Sequence, residues 1–165
     1  MKQIILYFLL LSGFQSLFGQ KDSVQAPYQR FPSFPPVELT LADGNKFHKD
    51  DLAKKTPVML MLFSPDCEHC QHETEELIKN IDKFKKIQVV MATQLPFESM
   101  LAFREKYGLA KYSNITVGHD KQYFLPVFYN IRNLPFHAFY DRKKELISAF
   151  EGSMTIEKVL AELTK

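Results

Sequence analysis

Phe63-Ser64-Pro65-Asp66-Cys67-Glu68-His69-Cys70-Gln71-His72-Glu73 holds the only two cysteines of the 165-residue chain, three positions apart. The run Val58-Met59-Leu60-Met61-Leu62-Phe63 leads into it and reads as a strand apolar on both faces, as a strand covered by helices should be. Residues 73–84 lead out of it. Leu77, Ile78, Ile81 and Phe84 fall there on one face at helical spacing. Acids come early (Glu73, Glu75, Glu76) and lysines late (Lys79, Lys83, Lys85, Lys86), as the helix dipole favours. The cysteines therefore stand where a buried strand hands over to a helix, and free backbone N–H groups there favour negative charge. A cysteine so placed is favoured as the thiolate, its nucleophilic form.

Working outward, residues 87–92 read as a second buried strand. A strand–helix–strand unit of this length implies a right-handed parallel crossover. Upstream, residues 37–41 alternate as a strand, Asp43-Gly44 turns the chain toward Lys46-Phe47, and Asp50 or Asp51 caps a short helical turn. Downstream, residues 97–107 are helical and stop at Gly108, Ile115-Thr116-Val117 is a short strand, and residues 121–129 form a helix bent by Pro126. After Leu134-Pro135, residues 136–140 and 146–150 form an antiparallel hairpin across the charged Asp141-Arg142-Lys143-Lys144-Glu145. Residues 155–163 close the chain as a helix, capped by Ser153 or Thr155 with Glu157 just inside.

The length suits one domain with a proper core, and 45% hydrophobic and 13% aromatic residues fit a packed α/β unit. Charge is nearly balanced, 21 Lys+Arg against 19 Asp+Glu with no like-charge block, so nothing marks a nucleic-acid partner. The N-terminus differs. Lys2, then the apolar Ile4-Ile5-Leu6-Tyr7-Phe8-Leu9-Leu10-Leu11, then small and polar residues up to Gly19 have the layout of a secretory signal. The expected division is a signal peptide over residues 1–19, an extended Pro-rich lead-in over 20–36 and one domain over 37–165. Export, most simply to a periplasm, follows; membrane attachment follows only where residues 1–19 stay uncleaved. Outside the cytoplasm Cys67 and Cys70 can pair. A bridge closing so short a loop removes little unfolded-state entropy, so the pair suits making and breaking better than stapling.

Strand, C-x-x-C at a helix start, strand, helix, then a proline entering a terminal hairpin and a last helix: this order resembles the thioredoxin fold. More closely it resembles the exported TlpA/ResA-like branch. The features that carry this are Pro36-Val37-Glu38-Leu39-Thr40-Leu41 with Asp43-Gly44, the strand ending at Phe63, the C-x-x-C, the added segment over residues 97–130 and the N-terminal signal. The implied architecture is a central mixed sheet flanked by helices, with an N-terminal strand extension and a helical insertion. Three positions depart from the family pattern. Asp66 replaces the tryptophan before the first cysteine, Glu68-His69 replaces Gly-Pro, and Phe136 replaces the threonine after the proline.

The resemblance implies an exported thiol–disulfide oxidoreductase that needs no cofactor and reduces client proteins. A redox partner would recycle the pair. Cys67 would attack and Cys70, one turn in, would resolve the mixed disulfide. Glu73, three residues beyond Cys70 on the same helical face, would move the inner thiol's proton. Pro135 matches the family's cis-proline, and the backbone of Leu134 would hold an extended client segment. His69 beside both sulfurs would favour the Cys67 thiolate and so an oxidising protein, while Asp66 and Glu68 push the other way. An oxidase or isomerase of the same fold is thus the alternative, with a copper- or other metal-binding thioredoxin-like protein as another. A haem site would need His in place of Gln71, and a peroxidase of this fold would carry proline in place of Leu60. His48, His72, His119 and His137 share no motif and read as solvated or structural.

Overall fold

In the computed structural model, residues 25–164 are described. The expected signal peptide lies outside them. Seven strands form one sheet in the order β2-β1-β5-β4-β3-β6-β7. Its centre is β3 (Val58–Leu62), paired in parallel with β4 (Gln88–Thr93) and antiparallel with β6 (Phe136–Tyr140). β4 pairs in parallel with β5 (Ile115–His119), β6 antiparallel with β7 (Leu146–Glu151), and β1 (Leu39–Leu41) antiparallel with both β5 and β2 (Lys46–Phe47). The chain therefore has the thioredoxin fold, with the β1–β2 hairpin added at one edge.

Side-chain alternation along β3 explains why the sheet is covered twice. Met59, Met61 and Phe63 face one core with Leu77 of α2 (Glu68–Lys79), Phe103 of α3 (Phe97–Lys106) and Val159 of α5 (Ile156–Glu162). Val58, Leu60 and Leu62 face the other, with Phe34, Val37, and Leu125 and Phe128 of α4 (Phe124–Tyr129). Every residue of β3 is buried. Where β1 meets β5, Gly118 leaves the room: a Cβ there would stand 2.7 Å from that of Leu39.

Four local expectations change. The helix after the cysteines begins at Glu68, because Cys67 itself caps it. It ends at Lys79, and Ile81–Phe84 continue as a separate 3₁₀ turn. Pro126 does not bend a long helix. α4 starts at Phe124, where the backbone N–H groups of Phe124 and Leu125 donate to the buried Asp120 carboxylate. Pro126 then falls in the first turn, where its missing N–H costs nothing. The turn Lys49–Asp51 is capped from its far end, with His48 N–H donating to Asp51 Oδ2 at 2.7 Å. The lead-in is also not wholly extended. Pro27–Arg30 make α1, a single turn with proline at its start, and Ser33 bridges Glu145 beside β7.

Candidate active site

The two sulfurs stand at the C-terminal end of β3, where the chain leaves the sheet. Phe63 N–H donates to Ala92 O at 3.0 Å and holds the last residue of the apolar run against β4. Ser64 O then accepts from Cys67 N–H at 3.1 Å, and Gln71 Nε2 donates to Pro65 O at 2.7 Å, tying the short loop to the helix it feeds. Cys67 is the N-cap of α2. Its Sγ accepts the Cys70 N–H at 3.4 Å, the place that a serine or aspartate oxygen usually fills. Negative charge on this sulfur would meet a backbone donor and the positive end of the helix dipole. Both cysteines are free thiols here; Cys67 is half-buried, whereas Cys70 is 0% exposed.

Leu134-Pro135 is a cis peptide, and Leu134 O lies 3.9 Å from Cys67 Sγ, within reach of its S–H. The outer sulfur thus lies between a helix N-terminus and a strand-entry carbonyl. Burial, followed by the hydrogen bond to Cys67, pushes the Cys70 thiol well above its ordinary value of 9.0. The inner thiol is therefore neutral near pH 7 and needs a base before it can attack.

Glu73 is turned inward. Only 5% exposed, it departs from the other acids at the helix start, of which Glu68 and Glu75 are exposed. Its carboxylate adds to the upward push on Cys70. Oε2 accepts Met154 N–H at 3.4 Å, and Oε1 stands 2.8 Å from Nε2 of His137, which is 0% exposed. The imidazole N–H direction misses the carboxylate, so neither ring nitrogen of His137 has an aligned hydrogen bond among the described residues. The two groups are close without an aligned hydrogen bond between them. His137, grouped from the sequence with the solvated or structural histidines, is thus buried rather than solvated. Its place two residues beyond Pro135, inside the apolar run Phe136–Tyr140, was the available signal.

His69 is exposed, as are Asp66, Glu68 and His72. Among the described residues, no group of three or more His, Cys, Asp or Glu is placed to hold a metal ion. No helix among them is long and apolar enough to cross a membrane.

The burial of Cys70 sets a pH dependence of stability. Its folded-state value lies above the unfolded one, so the stabilisation is complete below about pH 9 and is lost as pH rises toward the folded value. Tyr129 and Tyr140, whose hydroxyls meet in the second core, are also raised above 10.0, chiefly by burial. The urea midpoint of the reduced protein should therefore fall as pH passes about 9, and that of the Cys67–Cys70 bridged protein only from about 10. Equal profiles for the two forms would show that Cys70 is not the buried thiol described.

The model of the AhpC/TSA family matches residues 32–159. No curated protein matches the chain. Solved structures do. DsbF of Mycobacterium tuberculosis, in mixed oxidised and reduced forms, superposes with a TM-score of 0.67 at 21% identity, over 78% of this chain and 93% of that one. A secreted M. tuberculosis disulfide oxidoreductase homologous to E. coli DsbE gives 0.65 at 20%, over 78% and 95%. StoA of Bacillus subtilis gives 0.58 at 18%, over 79% and 100%. At these identities the superpositions establish a shared fold.

Proposed function

The chain belongs to the AhpC/TSA family, a thioredoxin-like oxidoreductase family by its fold, and from that premise we propose that it is an exported enzyme reducing disulfides in client proteins through Cys67 and Cys70. The observation that carries this is the pairing of a half-buried Cys67 Sγ, held on the Cys70 N–H, with a fully buried Cys70 thiol behind it. Cys67 as thiolate attacks one sulfur of a client disulfide. The client S–S bond breaks, the other client sulfur leaves as thiolate, and a mixed disulfide forms. Cys70 gives its proton to Glu73 and attacks Cys67 Sγ, so that the second client thiolate leaves and the protein holds the Cys67–Cys70 bridge. A redox partner then returns two electrons to it. Leu134 offers the client backbone hydrogen bonds, and His69, exposed beside the sulfurs, adjusts the balance of reduced and oxidised forms.

Reduction is the preferred direction because the order of the whole chain is similar to TlpA/ResA-like reductases, whereas the oxidase-like feature is one histidine. Export rests on the N-terminal signal pattern, and the name of one neighbour, a secreted disulfide oxidoreductase, supports it. The test is the equilibrium of the Cys67–Cys70 pair in a graded dithiol and glutathione series. The expected potential lies near that of thioredoxin, about −270 mV; one near that of DsbA, about −120 mV, would make the protein an oxidase. A pair that never forms a bridge would end the exchange reading.

A further inference from the structure

His137 is the one buried histidine of the described residues, and the exchange steps above give it no task. It sits on β6, between Met61 of the central strand β3 and Phe150 of the edge strand β7, with its ring stacked 6.1 Å from that of Phe139. An imidazole or carboxylate charged alone at this depth would be costly. Glu73 and His137 together can hold one shared proton with no net charge. Glu73 also lines a cleft of about 380 Å³ between α2 and the start of α5, with His72, Glu76, Thr155 and Glu157. Cys67, Leu134 and Pro135 are not among its lining residues.

We propose that His137 is a positioning residue: with Glu73 it forms a proton store that accepts the Cys70 proton and returns it to solvent through this cleft, while the client covers Cys67. The inference rests on the exchange reading and extends it. Cys70 S–H passes its proton to the pair, which gains one positive charge beside a new thiolate. That thiolate displaces the client sulfur from Cys67, and the charge it carried leaves with the client. The pair then releases its extra proton into the cleft. The ionisable groups beside this store are Cys70 of α2, whose thiol feels the Glu73 carboxylate and the Cys67 sulfur, and, along the cleft with Glu73, His72 and Glu76 of α2 and Glu157 of α5. Of the acids along the cleft, Glu76 is half-buried and paired with Lys79, and Glu157 is exposed, where it favours the proton's departure.

Dithiobis-nitrobenzoate separates the two thiol steps. Reduced protein releases one coloured thiolate as Cys67 reacts and a second as Cys70 closes the bridge. In His137→Gln the first release should keep its rate. The second should slow at least about tenfold near pH 6–7 and climb steeply with pH, approaching the range of a lost acid–base group. Glu73→Gln should do the same, and the double variant should be no slower than Glu73→Gln alone, because the two act as one unit. An unchanged second phase in His137→Gln, or losses that simply add, would overturn the proposal. The unaltered protein gives a second reading that folding cannot confuse: the ¹⁵N imidazole resonances of His137 should move between dithiol and disulfide forms, while those of exposed His48 stay. No movement at His137 sinks the store. Failure of the unaltered protein to release a second thiolate would instead sink the exchange reading beneath it.

Discussion

Cys70→Ser should trap clients, and Cys67→Ser should do nothing to them. With the buried sulfur replaced, Cys67 still caps α2, still receives a backbone N–H and still reaches solvent beside Leu134. It therefore attacks, forms the mixed disulfide and stops. Release then depends on outside thiols, whereas a well-oriented intramolecular group can act at an effective concentration of about 10⁵ M or more. Millimolar thiol does not replace that, so turnover on a disulfide-bonded client should fall to background and covalent adducts should accumulate on non-reducing gels. Cys67→Ser removes the nucleophile itself: background turnover and no adducts. The Cys70→Ser adducts would also identify the clients. Equal trapping by both variants would show that Cys70 is the accessible sulfur, against its complete burial. Turnover unaffected by either would remove the pair from the chemistry altogether.

What the sequence made legible was whatever short-range pattern encodes. The run 58–63 is apolar at every position, and that is the signature of a strand covered on both faces, as β3 is. C-x-x-C after such a run puts one sulfur at a helix cap and the other a turn inside. Gly108 marked the end of α3 because its φ of +59° suits glycine. The misses share a different cause: each rests on a partner distant in sequence or on a single capping contact. Nothing near Pro126 announces that Asp120 will start the helix late. Glu73 reads as one more dipole-favoured acid, and only the meeting of α2 with β6 shows that it is buried against His137, 64 positions away. Likewise the lead-in reads as a Pro-rich spacer, yet Phe34 is a core residue, because β7 and the turn before it give Pro32, Ser33 and Phe34 backbone to bond with. Local chemistry placed the two cysteines; the burial of Glu73 against His137 needed the third dimension.

Phe63→Ala should be among the most damaging single core changes, and it joins fold to site. Phe63 is 0% exposed and packs on Phe103 with ring centroids 4.4 Å apart. It is also the last residue of the apolar run, bonded by its N–H to Ala92, and the loop bearing Cys67 begins one residue later. Removing the ring loses its transfer free energy and opens a cavity between β3 and α3. Phe→Ala changes at such sites cost about 3–5 kcal/mol, out of roughly 5–15 kcal/mol for a whole domain. For a domain of this size, that corresponds to a melting midpoint lower by roughly 10–20 °C. Phe31→Ala is the matched control: that ring is 60% exposed, and its loss should change stability by no more than about 0.5 kcal/mol. Because the cavity opens beneath the loop, the exchange rate of the surviving folded protein should fall too, as Cys67 loses its fixed place on the Cys70 N–H. Rate and midpoint are measured separately, by single-turnover exchange well below the transition and by thermal unfolding. A large loss of midpoint with an unchanged exchange rate would show that the hydrogen bonds of Ser64, Pro65 and Gln71 hold the loop without the core beneath it.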